Sequence, residues 1–124
     1  MTIQSLNHVT IRSRDLETTR NFYVDIVGLR DGERPPFGFP GYWLYAGAAP
    51  VLHLIGSRGS TATGSGAVDH VAFAYEAEDY DRVVAALAAH GFDCARQTVP
   101  TLGSRQLFIE DPDGVCVELN FPAA

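Results

Sequence analysis

The chain has 124 residues, 46% of them hydrophobic and 19% charged, and nine Lys and Arg against fifteen Asp and Glu give a formal charge of −6. That length and composition suit one folded domain with its own core, and the acidic balance argues against a nucleic-acid surface, which needs a basic stripe, and against docking on anionic membranes. No apolar run approaches the ~20 residues of a membrane helix, MTIQSLNHV is not a secretion signal, and Cys94 and Cys116 form no C-x-x-C pair, so a cytoplasmic protein with no membrane or nucleic-acid partner is expected.

The first strand is opened by Leu6–Asn7–His8–Val9. Strand side chains alternate between faces, so Leu6, His8, Thr10 and Arg12 share one side and Val9 and Ile11 the other. Asp15 is a helix cap, and LETTRNFYVDIVGL after it places Leu16, Thr19, Tyr23 and Ile26 on one face before stopping at Gly28. Next, PPFGFPGYWLY brings Phe37, Phe39, Tyr42 and Trp43 into a Pro/Gly-rich stretch, suited to a pocket wall or to an interface with a second copy. WLYAGAAPVLHLIG reads as a hairpin turning at Pro50, with Val51, His53 and Ile55 opposed to Leu52 and Leu54.

Residues 57–67, SRGSTATGSGA, read as a flexible linker within a single domain, between a first module of about 1–56 and a second of about 68–124. The order of elements then repeats. Val68–Asp69–His70–Val71 matches the opening of the first strand, and Asp79 precedes YDRVVAALAAHGF, which carries Val83 and Leu87 and ends at Gly91. Arg105 and Gln106 lead into a strand containing Phe108. QLFIEDPDGVCVELNF turns at Asp113–Gly114 and sets Cys116, Glu118 and Asn120 against Val117, Leu119 and Phe121.

Overlaying the two hairpins puts His53 opposite Glu118. Four strands thus each carry one face of bulky apolar residues and, on the other, one of His8, His53, His70 and Glu118. If those faces line one sheet, three imidazoles and a carboxylate converge, a donor set for one divalent ion (Zn, Ni, Fe, Mn or Co) with positions left for water or substrate. Taken singly, a strand histidine is more often a hydrogen-bonded core or surface residue; it is the repeat-equivalent placement that points to metal. His90, at a helix C-terminus, is read as complementing the helix dipole.

LNHVTIRSRDLETTRNFYVDIVGL at 6–29, DHVAF at 69–73 and DPDGVCVEL at 111–119 resemble the vicinal oxygen chelate superfamily of glyoxalases, bleomycin-resistance proteins and extradiol dioxygenases. The resemblance implies an α+β fold in which two βαβββ modules form a curved, half-open mixed sheet around one divalent metal. It implies ligands at His8, His70 and Glu118, and in many glyoxalases at His53, in chains that commonly pair as homodimers. The substrate would be a small molecule chelated through adjacent oxygens.

A glyoxalase-type isomerase or lyase is the leading expectation, because the ligand count agrees and Arg12 matches an arginine such enzymes use for a substrate carboxylate. They usually carry Glu or Gln where His53 stands, which leaves Glu118 as the one ligand able to act as a general base. An extradiol-type dioxygenase is an alternative, although its signature has Tyr where Phe108 stands and a histidine near Arg105 and Gln106. Fosfomycin thiol transferases match at His8–Val9–Thr10, whose threonine contacts substrate. A non-catalytic protein that binds a drug or metabolite would use the aromatic wall without the ligand set. Thr10, Arg12, Trp43, Arg105 and Phe108 are the expected substrate-binding residues.

Overall fold

The computed structural model describes residues 1–56 and 63–124; the first part of the expected linker, 57–62, lies outside them. Two compact units divide the chain, Met1–Thr61 and Ala62–Ala124. No helix among the described residues is long and apolar enough to cross a membrane.

In the first unit, β1 (Val9–Ser13) leads into α1 (Leu16–Asn21), and β2 (Arg30–Gly32), β3 (Gly41–Ala46) and β4 (Ala49–Gly56) follow. The sheet order is β1-β4-β3-β2, with β1 parallel to β4 and the other pairs antiparallel. Alternation works as the sequence implies: Ile11, Leu44, Leu52 and Leu54 are buried on one side, with Phe22, Tyr23, Val27 and Leu29 of the helical segment and its exit among the buried residues of the same unit. The Asp15 carboxylate accepts from the Thr18 amide at 3.1 Å, so the expected cap forms. A buried hydrogen bond of 2.7 Å from the Ser13 hydroxyl to that of Thr19 ties strand to helix.

Two details differ from the sequence reading. After Asn21 the helix widens into a π-turn over Phe22–Val27, which shifts the inward face by a position, so Phe22 and Val27 are buried and Ile26 is only half-buried. The β3–β4 turn lies at Gly47–Ala48, where Gly47 takes φ +59°. Pro50 is inside β4, and its carbonyl serves His53.

The second unit repeats the plan with β5 (Val71–Ala74), α2 (Tyr80–Ala89), β6 (Ala95–Thr98), β7 (Arg105–Glu110) and β8 (Cys116–Phe121), in the order β5-β8-β7-β6. Leu87, Leu107, Ile109, Val117, Leu119 and Phe121 form its core. The fold is therefore α+β, two βαβββ modules each with an unclosed four-stranded mixed sheet. Asp79 does not cap α2 with its side chain, because a 3₁₀ turn over Ala77–Asp79 already places it in helical conformation and its carboxylate pairs with Arg82. His90 Nδ1 donates to the Ala86 carbonyl at 2.8 Å, a second bond to an oxygen that already accepts from the His90 amide at 3.1 Å.

In the β7–β8 turn the Asp111 carboxylate accepts from the amides of Asp113 (2.8 Å) and Val115 (2.9 Å), and Gly114 takes φ +81°. Gly64 and Ser65, within the segment read as a linker, are bonded to this region: the Gly64 amide donates to the Asp113 carbonyl, and the Ser65 hydroxyl accepts from the Cys116 amide.

Close strand approach makes a glycine obligatory at 41. A Cβ there would lie 2.3 Å from the Leu54 carbonyl oxygen, whereas one at Gly38 would meet nothing within 4 Å. Gly41→Ala should destabilise by about 1–3 kcal/mol, and Gly38→Ala should be neutral or stabilising by up to about 1 kcal/mol. Denaturant unfolding of the two variants checks this, and equal stability would contradict the strand packing described.

Candidate functional site

In the first unit, the face of the sheet opposite the core carries Thr10, His53 and Trp43 in one row, because Thr10 pairs with His53 across β1–β4 and Trp43 with His53 across β3–β4. In the second, Ala72 pairs with Glu118 and Glu118 with Phe108. The row Thr10–His53–Trp43 is thus the structural counterpart of Ala72–Glu118–Phe108. His8 and His70 each stand two residues before the first member of their row, immediately ahead of β1 and β5.

The two halves use this shared frame differently. In the first, Trp43 and His53 stack with ring centroids 4.2 Å apart and planes 10° from parallel, and His53 and His8 stack at 3.8 Å and 14°. His8 Nδ1 lies 2.8 Å from Asn7 Oδ1 and His53 Nε2 lies 3.1 Å from the Pro50 carbonyl. Each of those oxygens accepts, so the partners assign the proton to Nδ1 of His8 and Nε2 of His53. Burial lowers the His53 pKa from the ordinary histidine value, and the nearby His8 reinforces the shift against the bond to Pro50. Imidazole lone pairs lie in the ring plane, so two stacked rings aim them side by side and not at a common point.

In the second half the Glu118 carboxylate is buried, with Oε1 3.0 Å from His70 Nε2 and Oε2 2.7 Å from the Asn120 amide nitrogen. His70 Nδ1 meets Asp69 Oδ2 at 2.8 Å. The Asp69 hydrogen bond raises the His70 pKa, and the Glu118 charge adds to it against the cost of desolvation. Phe108 meets the His70 ring edge-on at 5.8 Å. Burial, followed by the charges of Asp69, Glu110 and Glu118, pushes the Cys116 thiol up.

Each unit therefore gathers two of the four expected ligands, His8 with His53 and His70 with Glu118. Among the described residues, no group of three or more His, Cys, Asp or Glu side chains is arranged to hold a metal. The donors present nonetheless suit one. Two ligands each about 2.1 Å from an octahedral ion sit about 3 Å apart, the spacing of His70 Nε2 and Glu118 Oε1. With Nδ1 committed to Asn7 or Asp69, both His8 and His70 offer Nε2, the arrangement by which outer residues orient metal-bound imidazoles.

The substrate-binding candidates separate by face. Thr10 and Arg12 are exposed on the side of β1 away from Ile11. Thr10, Trp43 and His53 line a cavity of about 220 Å³ together with Arg34, Phe37, Phe39 and Ile55. Arg105 shares a side of β7 with buried Leu107 and Ile109, and its guanidinium lies 3.7 Å over the Tyr80 ring, while Gln106 and Phe108 are on the other side, opposite Asn120 and Glu118. Tyr42 is on the opposite side of β3 from Trp43, with Arg20 5.9 Å from its ring centre. Sequence reasoning passed over Arg34, Asn7 and Asp69. The acceptor ahead of each histidine was visible in the repeat, but its hydrogen bond was not.

A sequence profile of the Glyoxalase/Bleomycin resistance protein/Dioxygenase superfamily matches residues 5–119. The chain belongs to this superfamily. It is 29% identical over 124 residues to Glyoxylase I 4 of Arabidopsis thaliana, covering 94% of this chain and 70% of that protein. The fold is shared with a glyoxalase/dioxygenase from Nostoc punctiforme (TM-score 0.80, 20% identity, 98% of this chain and 92% of that one). A lactoylglutathione lyase from Agrobacterium tumefaciens (0.71, 20%, 98% and 96%) and a genomically encoded fosfomycin resistance protein from Listeria monocytogenes (0.77, 17%, 98% and 96%) share it too. Members of the glyoxalase superfamily typically bind a divalent metal and small-molecule substrates.

In this member the Asp69–His70 bond has a measurable signature. Because the folded pKa of His70 is raised, its stabilising effect in metal-free protein is fully present below the unfolded value of about 6.5 and is lost as pH rises through the folded pKa. Asp69→Asn should lower the His70 pKa towards the ordinary value, as read from imidazole resonances in an NMR titration. A His70 titration identical to wild type would remove Asp69 from this role.

Proposed function

We propose that the chain is a metal-dependent isomerase or lyase of glyoxalase type, acting on a small substrate that binds one divalent ion through adjacent oxygens. The observation that carries this reading is the pairing of a buried carboxylate with an imidazole whose Nδ1 is already engaged. In metal-free protein a proton on His70 Nε2 closes the 3.0 Å gap to Glu118 Oε1, and loss of that proton would leave two lone pairs facing the same point, where a divalent ion could be held by both. His8, His70 and Glu118 would hold the ion, with His53 as a fourth ligand on reorientation of its ring. When bound, it would supply Lewis-acid stabilisation of negative charge on a substrate oxygen.

The chain's own residues would do the rest. Asn120 holds the second oxygen of Glu118 and so orients the carboxylate that would take and return a proton between adjacent substrate carbons. Arg12, exposed on the ligand side of β1, would receive a substrate carboxylate. Thr10, Trp43 and Phe108 would border the substrate. Leu6 and Val68, two residues before the histidines and largely exposed, support pairing of two copies as a homodimer. Both cysteines are free thiols, in keeping with a cytoplasmic setting.

The engagement of His53 with Trp43, His8 and Pro50 favours a second reading. Two histidines and one carboxylate are the ligand set of non-heme ferrous oxygenases, so a dioxygenase is the competing activity.

Metal titration of chelator-treated protein tests the site. His8→Ala, His70→Ala and Glu118→Ala should each weaken binding well beyond the about 10–100-fold expected of an outer residue, His53→Ala should cost less, and Cys116→Ser should bind as wild type. Tight binding by Glu118→Ala together with loss in Cys116→Ser would overturn the ligand assignment. Nickel- or zinc-dependent turnover of a hemithioacetal supports the isomerase, and ferrous-dependent oxygen uptake on a catechol supports the dioxygenase. A dimeric mass in solution is expected at micromolar concentration.

A further inference from the structure

We propose that the cavity beside His53 is an anion-selective arm of the substrate pocket, in which Arg34 and its aromatic neighbours receive an aromatic carboxylate. As a statement about catalysis, this names a substrate class for the site proposed above, with Arg34 taking the aromatic carboxylate and Arg12 left for a second anionic group, and rests on that reading. As a statement about binding, it stands on the geometry of the first unit alone.

The Arg34 guanidinium carbon lies 4.9 Å from the centre of the Phe37 ring and 5.0 Å from that of Phe39. Those rings stack on each other at 5.4 Å, and Phe37 approaches Trp43 at 6.2 Å. One guanidinium nitrogen donates to the Phe39 carbonyl at 3.0 Å, which uses one of five N–H donors. No carboxylate among the described residues forms an ion pair with Arg34. Arg20, by contrast, pairs with Asp31 at 2.8 Å. Arg34 is thus a cation fixed against apolar rings with its ionic capacity unspent.

Local backbone structure makes room for it. A Cβ on Gly41 would stand 2.9 Å from an Arg34 terminal nitrogen, so glycine at that position leaves the guanidinium room to lie against β3. Across the cavity, the floor is the Trp43–His53 stack.

A planar guanidinium fork matches a carboxylate through two parallel hydrogen bonds. Aromatic faces around it favour a flat ring behind that carboxylate. The volume of about 220 Å³ equals about seven waters at liquid density, which suits a single ring with its carboxylate.

Trp43 is the only tryptophan in the chain, so its fluorescence reports entry into this cavity. Chelator-treated full-length protein is titrated with benzoate, with benzamide as the neutral isostere and with acetate as an anion lacking the ring. Benzoate should change the emission saturably, and the other two should bind at least about tenfold more weakly, the loss expected for one charge-assisted pairing or one ring contact. In Arg34→Gln the preference for benzoate over benzamide should vanish. Equal affinity for benzoate and benzamide in wild type, no saturable change with benzoate, or a preference that survives in a folded Arg34→Gln would each overturn the proposal. Should that variant not fold by circular dichroism, the three-probe comparison on wild type decides alone. Metal titration of the same protein separates the two readings: discrimination without metal binding sinks only the isomerase, and metal binding without discrimination sinks only the role of Arg34.

Discussion

In both sheets the first strand of the module is bonded to the last, and the two run parallel. Parallel neighbours cannot be joined by a tight turn, so the chain must leave the sheet and return by a crossover. Here the crossover includes a helix, which takes up the apolar face of the strands. The other face remains for side chains that a helix would not cover. The rows Thr10–His53–Trp43 and Ala72–Glu118–Phe108 exist because of this: the crossover decides which side is core, and the alternation of the strand then puts every second residue on the opposite side.

Within that frame the halves have taken different chemistry. The second half is ionic, with Asp69, His70 and Glu118 linked in series and Asn120 closing the far end. Such a chain fixes ring orientation at both nitrogens and holds the carboxylate in one rotamer. The first half is aromatic, with His8, His53 and Trp43 stacked and charge supplied from the side by Arg34. On the readings proposed above, cation and proton chemistry would fall to the acidic half and a flat aromatic group to the other. A difference in side chains at equivalent backbone positions is enough to make one half ionic and the other aromatic.

Much of this was legible from residues alone, for identifiable reasons. Strand faces have a period of two, so the side occupied by His8, His53 and Glu118 followed once the strands were located. The D-P-D-G run supplied its own turn chemistry through Asp111 and Gly114. What escaped depended on an added residue or on rotamers. The π-turn at Phe22–Val27 adds a residue per turn without a sequence marker, and it moved Val27 inward in place of Ile26. Pro50 read as a turn because proline usually sits in one, but two residues of glycine and alanine before it make the bend. Arg105 falls on the Leu107 side of β7, where it covers Tyr80, a placement set by where pairing begins. Whether His53 presents a ring edge or a ring face is a χ-angle question that no spacing rule addresses, and the exposed ionic reach of Arg34 depends on the loop from Glu33 to Pro40 folding back over β3.

The parallel pairing also sets an order of events during synthesis. β1 emerges first, yet its partner β4 follows about forty residues later, so Val9–Ser13 leaves the ribosome with no strand to bond. At elongation rates of about 5–20 residues per second, that strand waits a few seconds before its partner exists. The hairpin of β3 and β4 closes locally and supplies the edge on which β1 must land. The same delay recurs for β5, which precedes β8 by a similar stretch. Each histidine ahead of a first strand is consequently made early in its module, well before the strand beside which its own must pair.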